Sequence, residues 1–377
     1  MTARIFRRPA FLEAGDAFCD SAMRALPCGG RPPAGLSARH LSWRLGAADF
    51  QAARIAHADS PAPAIKRLTA AARHAAMIRE LRQGRIDLLY VWRGLAGRAA
   101  LAAQAARALN LPCLFFERGP LPGWLQIDPK GINARNSVPR EARFFQRWQA
   151  TRPGLDLTAW RSLRGDLSAR EPLRDLVAQN PRADWSGEGP FLFCPFQQNA
   201  SGDPLPDGGW VSDPADLMAA LARASHALPP GWHLRVKPHP NARGDLARLA
   251  ARHPKARLLI DRDTNSLDQL AASRGVITVN SAMGIEAFFF DKPVITLGDS
   301  YFGGLGRTDH ADGLPALTAL LTAPDRLSFD QPARDLLMSF LFTDYLTRDD
   351  DLRAGRIDAG EIFTRQARHQ ALDRANR

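Results

Sequence analysis

Residues 233–298 constrain the fold more than any other stretch, because they alternate strand, loop, helix and strand twice in succession. Leu234-Arg235-Val236-Lys237 is a short strand that ends on Pro238-His239-Pro240. Val276–Val279 is a second strand, stopping at Asn280-Ser281 and entering a small-residue helix, Ala282-Met283-Gly284-Ile285-Glu286-Ala287. Asp291-Lys292-Pro293 breaks that helix, and Val294–Leu297 is a third strand. Strands separated by helices pair in parallel. In such sheets ligands sit beyond the carboxyl ends of the strands, where the helices begin. His239 and Ser281 both fall there, so the stretch reads as a nucleotide-binding half.

A second βαβ unit spans 86–116. Ile86–Trp92 is a buried strand, Arg93–Gly97 a small-residue turn, 98–108 an Ala-rich helix and Leu111–Phe116 the next strand, with Glu117-Arg118-Gly119-Pro120 just past it. Around these units the pattern is coarser. His40–Leu45 reads as a strand and Pro61–Gln83 as an amphipathic helix. Residues 121–140 read as irregular, given their Pro, Gly and Asn. Phe191–Cys194 opens the second half as a strand, and a helix over 213–227 starts from an Asp213 N-cap. The expected division is a first Rossmann-like domain over 1–185, a second over 186–330, and helices over 331–377 that pack back on the first domain or are partly disordered. Phe288–Phe290 reads as helix core.

The 377 residues suffice for two ordinary domains, and the net charge of +11, carried almost entirely by Arg, favours anionic partners. A bias toward Arg codons explains the same excess equally well. No apolar run approaches the roughly 20 residues of a membrane span, and Glu13 and Asp16 interrupt the apolar part of the N-terminus, which argues against a signal peptide. The four cysteines form no CxxC pair, which disfavours zinc and a disulfide framework. Nucleic-acid, Walker, GxGxxG and HExxH signatures are absent.

Each candidate site has a structural alternative. A histidine between two prolines is presented rigidly to a phosphate, with Lys237 adding charge, or it merely packs on proline rings. Asn280 and Ser281 place donors at a helix start, where an anion binds, yet the same atoms cap a helix. Glu117 suits general acid/base work, or an ion pair with one of the many arginines. Asp203 lies in a polar loop with Gln197, Gln198 and Asn199, and Gly202-Asp203-Pro204 is also good turn chemistry. Asp128, Asn133 and Arg140 would line the 121–140 loop, or Asp128-Pro129-Lys130-Gly131 is simply a turn.

The combination resembles the capsule polysaccharide synthesis and export family, the bacterial capsular β-Kdo transferases. The resemblance covers roughly 60–345 and rests on Ile86–Gly94 with Arg98, Phe116–Gly119, Asp128…Gly131-Ile132-Asn133…Ser137–Arg140, Pro195-Phe196-Gln197, Val236–Pro240 and Thr278–Ser281…Gly284–Ala287…Lys292–Ile295. It implies an α/β, GT-B-like fold: two Rossmann-like domains with parallel sheets facing across a cleft. It implies a glycosyltransferase that takes a sugar, Kdo, from CMP-Kdo to a lipid or glycan acceptor with retention, by double displacement, needing no metal or other cofactor. Lys237, His239, Pro240, Asn280, Ser281, Ala282, Gly284 and Glu286 would hold the nucleotide. Glu117 would be the acid/base, and Arg118, Asp128, Asn133, Arg140 and Gln197 would meet substrate or acceptor. The family's nucleophile stands in Gln-x-x-x-Asp-x-Gln. Counted from Gln197 that position is Ser201 and the final one Asp203, so Asp203 serves only if the loop is rebuilt.

The implied partners are the sugar donor, the acceptor, an inner-membrane surface and the capsule export machinery, with no nucleic acid; the implied location is cytoplasmic, peripheral to the inner membrane. CDP-glycerol-type polyol-phosphate transferases carry similar motifs and are the alternative reading. A non-catalytic assembly or export partner is the third.

Overall fold

A computed structural model of the chain describes residues 6–56, 63–168, 178–197, 205, 207–239 and 246–374. Among these the strands are, in chain order, β1 (Pro9–Leu12), β2 (Ala34–Leu36), β3 (Leu88–Trp92), β4 (Cys113–Arg118), β5 (Trp124–Asp128), β6 (Phe191–Pro195), β7 (His233–Lys237), β8 (Leu258–Ile260), β9 (Gly275–Thr278), β10 (Val294–Thr296), β11 (Asp309–His310) and β12 (Thr347–Arg348). They form two six-stranded sheets, β12-β5-β4-β3-β1-β2 and β11-β10-β9-β6-β7-β8. The chain divides into two compact units. The first is Met1–Gly119 with Gly123–Pro139 and Leu341–Arg377; the second is Pro120–Pro122 with Arg140–Phe340. The α/β class with two Rossmann-like sheets is therefore as expected.

In the first unit β2, β1, β3 and β4 run parallel, while at one edge β5 pairs antiparallel with β4 and β12 antiparallel with β5. The expectation of a purely parallel sheet is thus corrected at that edge. The covering helices, Ala64–Gln83 and Gly97–Ala108, turn alanines inward: Ala70, Ala71, Ala72 and Ala76 from one, Ala100, Ala102, Ala105 and Ala106 from the other. Side chains this short let helix backbones approach closely.

Three features differ from the sequence reading. His40–Leu45 has no regular structure, and the first strands are instead β1 and β2. Each has at most four residues, too few to show a period, and both are held by pairing: β1 with β3, and β2 with β1. Within 121–140, Trp124-Leu125-Gln126-Ile127-Asp128 forms β5, paired Glu117↔Gln126 and Phe115↔Asp128 with β4. Residues 140–185, expected with the first domain, cluster with the second unit. Helix Ala142–Ala150 explains this: Phe144, Phe145 and Trp148 pack edge-on around Phe340 at ring distances of 5.2, 5.7 and 5.5 Å.

The second unit's sheet is parallel throughout. Leu192, Cys194, Leu234, Val236, Ile277 and Ile295 are all buried in one core, the apolar run expected of strands covered on both faces. Helix Pro214–Ala224 starts at Asp213, whose Oδ1 accepts from the backbone N–H groups of Ala215 (2.7 Å) and Asp216 (2.9 Å), as the sequence predicts. Phe288 and Phe289 are buried as read, while Phe290 is only partly buried.

Chain order decides where a ligand can enter. From β6 the chain builds outward to β7 and β8, then returns to the other side of β6 for β9, β10 and β11. Counted from β6, the order across the sheet is 3-2-1-4-5-6. In open sheets of this order the crevice opens beyond the carboxyl ends of the two strands where the direction reverses, here β6 and β9.

Candidate functional site

The second unit gathers its motif residues at that reversal. Gln197 follows β6 and Asn280-Ser281 follows β9. Gln197 Nε2 donates to Asn280 Oδ1 at 2.8 Å, bridging the two strand ends, and Asn280 Nδ2 donates to the Asp207 carbonyl at 3.2 Å. The other amide atom, Gln197 Oε1, is buried and meets no hydrogen-bond partner among the described residues. An orphaned acceptor of this kind costs about 1–3 kcal/mol unless a ligand or water supplies a donor. His239 enters from β7, the neighbour of β6. The Phe196 N–H bonds the Lys237 carbonyl at 2.9 Å, so the Gln197 and His239 loops leave the sheet side by side.

Ser281 is partly a cap. Its Oγ accepts from the Met283 N–H at 3.3 Å, and its own N–H bonds Thr278 Oγ1 at 3.1 Å. Among the described residues the Ser281 hydroxyl donates to nothing. Ala282 leads into the one-turn helix Met283–Glu286, where Glu286 is buried. Gly284 is required by packing: a Cβ there would lie 2.6 Å from two ring carbons of Phe302. Phe302 is itself fully buried and edge-on to Phe288, so it cannot retreat. Gly284→Ala is expected to destabilise the second unit by about 1–3 kcal/mol through overpacking, measurable by chemical denaturation. Pro240 and Asp203 lie outside the described residues.

Lys237 corrects a reading. Its ammonium is not presented at the loop: Nζ donates to the carbonyls of Ala178 (3.0 Å), Arg262 (3.2 Å) and Thr264 (2.6 Å), which uses all three of its N–H groups. Lys237 is a tie that fastens the chain at 178 and 262–264 to the end of β7. Beneath it lies a network that sequence reasoning missed. Buried Arg235 donates to Asp261 Oδ2 at 2.6 Å and to Glu188 Oε2 at 3.0 Å. Burial would raise the Asp261 carboxyl, but hydrogen bonds from Thr264 and Arg235 outweigh it and hold the pKa down to about 2.

Burial pushes the Lys237 pKa down from 10.5 to about 8, against the opposing pull of Asp261 and Asp263. Between those two values the unfolded chain binds a proton that the folded chain does not, so this group adds stability as pH rises from 8 toward 10.5 and loses it as pH falls back through 8. The unfolding free energy of wild type relative to Lys237→Met should therefore shift in favour of wild type between pH 7.5 and 10 (urea melts at each pH); a difference independent of pH contradicts the assignment.

Arg140 sits in the same unit. Burial first, and the charge of Arg140 second, push the pKa of Arg307 down to about 10. Arg307 spans the turn at 303–304, donating to the carbonyls of Gly303 and Gly304.

The first unit holds Glu117 near the end of β4, 8% exposed. Its Oε2 accepts from Arg93 Nε at 2.6 Å and its Oε1 from the Arg118 N–H at 2.8 Å. Arg93 is the partner that the sequence did not single out. It stands in the turn after β3 with a left-handed φ of 63°, followed by Gly94 at 77°. A Cβ at Gly94 would lie 2.7 Å from the Phe115 ring, so only glycine completes this turn. The carboxylate of Glu117 raises the Arg93 pKa further above its ordinary value. Arg118 stacks its guanidinium 4.6 Å from the Phe18 ring.

Asp128 and Asn133 organise their own loop. Buried Asp128 accepts from the Lys130 N–H (2.7 Å), the Ser137 N–H (2.7 Å), the Ser137 hydroxyl (2.6 Å) and the Tyr345 hydroxyl (3.0 Å). Asn133, at φ 51°, exchanges two hydrogen bonds with Gln126. Both were expected to meet substrate; in the structure their side chains are engaged in these bonds within the unit. Among the described residues, no group of three His, Cys, Asp or Glu side chains is placed to hold a metal ion, and no helix is long and apolar enough to cross a membrane.

Three comparisons bear on this arrangement. Residues 182–343 match the family described as capsule polysaccharide biosynthesis protein. Protein FixF of Sinorhizobium fredii is 29% identical over 261 residues, which are 69% of this chain and 60% of that protein; the chain thus matches less than two thirds of its relative's length. Among solved structures, the Thermosulfurimonas dismutans KpsC β-Kdo 2,7 transferase aligns over 93% of this chain and 98% of its own, at 13% identity and a TM-score of 0.47. The KpsC β-Kdo 2,4 transferase of the same organism aligns over 68% and 88%, at 22% identity and a TM-score of 0.40.

Proposed function

Since residues 182–343 match the capsule polysaccharide biosynthesis family, we propose that the chain is a glycosyltransferase whose donor is a CMP-activated sugar, Kdo in the first instance, and whose acceptor is a lipid or glycan. The donor's nucleotide lies beyond the carboxyl ends of β6, β7 and β9. One observation carries this reading: Gln197 Oε1 stands buried and unmatched at the strand reversal, fixed there by the bond from Gln197 to Asn280. A ligand that brings an N–H or O–H to this point repairs the deficit. A cytidine nucleotide has both, in its amino group and its ribose hydroxyls. Ser281 can donate to the donor's phosphate, and His239 adds an imidazole donor from the adjacent loop.

For the transfer itself Glu117 is the general base and acid. Both its oxygens accept N–H bonds, which fix the orientation of the carboxylate and leave each oxygen a further lone pair for the proton of an acceptor hydroxyl. Retention requires two displacements, with a carboxylate forming the intermediate and Asp203 as the candidate. In the first step the carboxylate oxygen bonds the anomeric carbon and CMP leaves with the bonding electrons. In the second the acceptor oxygen bonds that carbon, the carboxylate leaves, and the acceptor proton passes to Glu117.

The testing experiment offers CMP-Kdo and CDP-glycerol in parallel with a set of glycolipid acceptors. CMP release with CMP-Kdo, and a sugar mass added to the peptide that contains Asp203, is the expected result. Turnover of CDP-glycerol alone overturns the donor assignment. Inertness toward both donors overturns the enzymatic reading.

A further inference from the structure

The first unit carries a surface that the transfer chemistry leaves unused. Seven large hydrophobic side chains stand exposed among the described residues, and five of them fall within 41–65: Leu41, Trp43, Phe50, Ile55 and Ile65, with Trp43 and Ile65 at 62% and 66% exposure. The fold explains why. Helix Ala47–Ala56 buries Ala52, Ala53 and Ala56, and helix Ala64–Gln83 buries its own alanines. The apolar side chains that helix Ala47–Ala56 turns inward are all small, and Met77 and Leu81 of the second helix join the same core, while Trp43, Phe50 and Ile65 face water, the reverse of the usual partition for side chains of that size.

Among the described residues of 37–73 the exposed charges have one sign. Arg39, Arg44, Arg54, Lys66, Arg67 and Arg73 are all exposed. The carboxylate among the described residues of 37–73 is Asp49, which is buried and engaged with the His74 ring at 2.8 Å and the Gly46 N–H at 2.8 Å. It offers the cations no surface partner.

We propose that the exposed side chains of Trp43, Phe50 and Ile65, with Arg39, Arg44, Arg54 and Lys66, form a docking surface for an anionic lipid bilayer. Tryptophan settles at the headgroup level, isoleucine and phenylalanine enter the acyl boundary, and arginines meet lipid phosphates. Nucleic acid would use the cations but leave the apolar side chains in water. The proposal gives the lipid-acceptor reading a physical contact, yet it stands on observations separate from the donor site and is tested without donor or acceptor.

The test is co-sedimentation of the full chain with vesicles of phosphatidylethanolamine and phosphatidylglycerol, against vesicles of phosphatidylcholine alone. Binding to the anionic vesicles only, weakened at 0.5 M salt to about the neutral-vesicle level by screening, is expected. Arg44→Gln with Arg54→Gln should weaken partitioning about 25-fold, at roughly fivefold per cation. Trp43→Ser with Ile65→Ser should weaken it about tenfold or more. Arg223→Gln, at an exposed position on the second unit, should leave it unchanged. Three results overturn the proposal: no binding to either vesicle, an Arg223→Gln loss as large as that at Arg44 and Arg54, or a dimer in solution that Trp43→Ser dissolves, which would assign the face to a second copy. Each variant's CMP binding is measured alongside, so failure here and failure of the donor site are told apart.

Discussion

Glu117→Gln is expected to lower turnover by about 10²–10⁴-fold, the range lost with a positioned acid/base, while leaving CMP affinity unchanged. The substitution keeps the shape of the side chain and an oxygen able to accept from Arg93 or the Arg118 N–H, which contact the native carboxylate at 2.6 and 2.8 Å. What it removes is the capacity to hold a proton. A steady-state assay with CMP-Kdo, read as kcat and KM separately, checks it: the loss should fall on kcat. A variant with wild-type kcat removes Glu117 from the chemistry and leaves it as the ion-pair partner of Arg93.

The second large effect is on stability. Asp128→Ala strips the acceptor from four donors: the N–H groups of Lys130 and Ser137 and the hydroxyls of Ser137 and Tyr345. Asp128 is 1% exposed, so water does not replace those bonds freely. Leaving buried donors unmatched costs about 1–3 kcal/mol each where they cannot re-pair; with partial rescue a total near 3 kcal/mol is expected. For a unit of this size that lowers its melting transition by about 10 °C, to be followed by circular dichroism. Had Asp128 served substrate as the sequence suggested, the same variant would melt normally and lose activity.

The contrast between these two carboxylates shows what the sequence made legible. Both stand at or next to the last residue of a strand of the first sheet, and both looked available for chemistry. Glu117 was readable because a long buried strand, Cys113–Arg118, leads to it. The role of Asp128 was not, because three of its four partners lie nine or more residues away, Tyr345 in a part of the chain that folds back from the C-terminal side. The same holds for Lys237, whose strand position was read correctly while its three carbonyl acceptors, at 178, 262 and 264, could not be.

Strands followed the same rule. In the second sheet β6, β8, β9 and β10 were legible from short apolar runs and β7 from the alternation that ends at Pro238, while β11, only Asp309–His310, was not. β1 and β2, at four and three residues, carry no period and exist through pairing. β5 was hidden by the Gly, Pro and Asn around it, although those residues build its flanking turns: the Gly119 N–H closes on the Trp124 carbonyl at 2.7 Å, and Asn133 closes on Gln126. Gln197 was singled out by motif alone. Its bond to Asn280 follows from the strand order, which no local pattern contains.

That bond marks the place where the nucleotide is proposed to bind, and calorimetric titration of CMP into the wild-type chain and into Ser281→Ala tests it most directly. Saturable binding to wild type, weakened about 10–100-fold when the Ser281 hydroxyl is removed from the phosphate, is the expected result. Equal affinity in the two proteins, or no heat of binding in wild type, contradicts a CMP site at the ends of β6, β7 and β9.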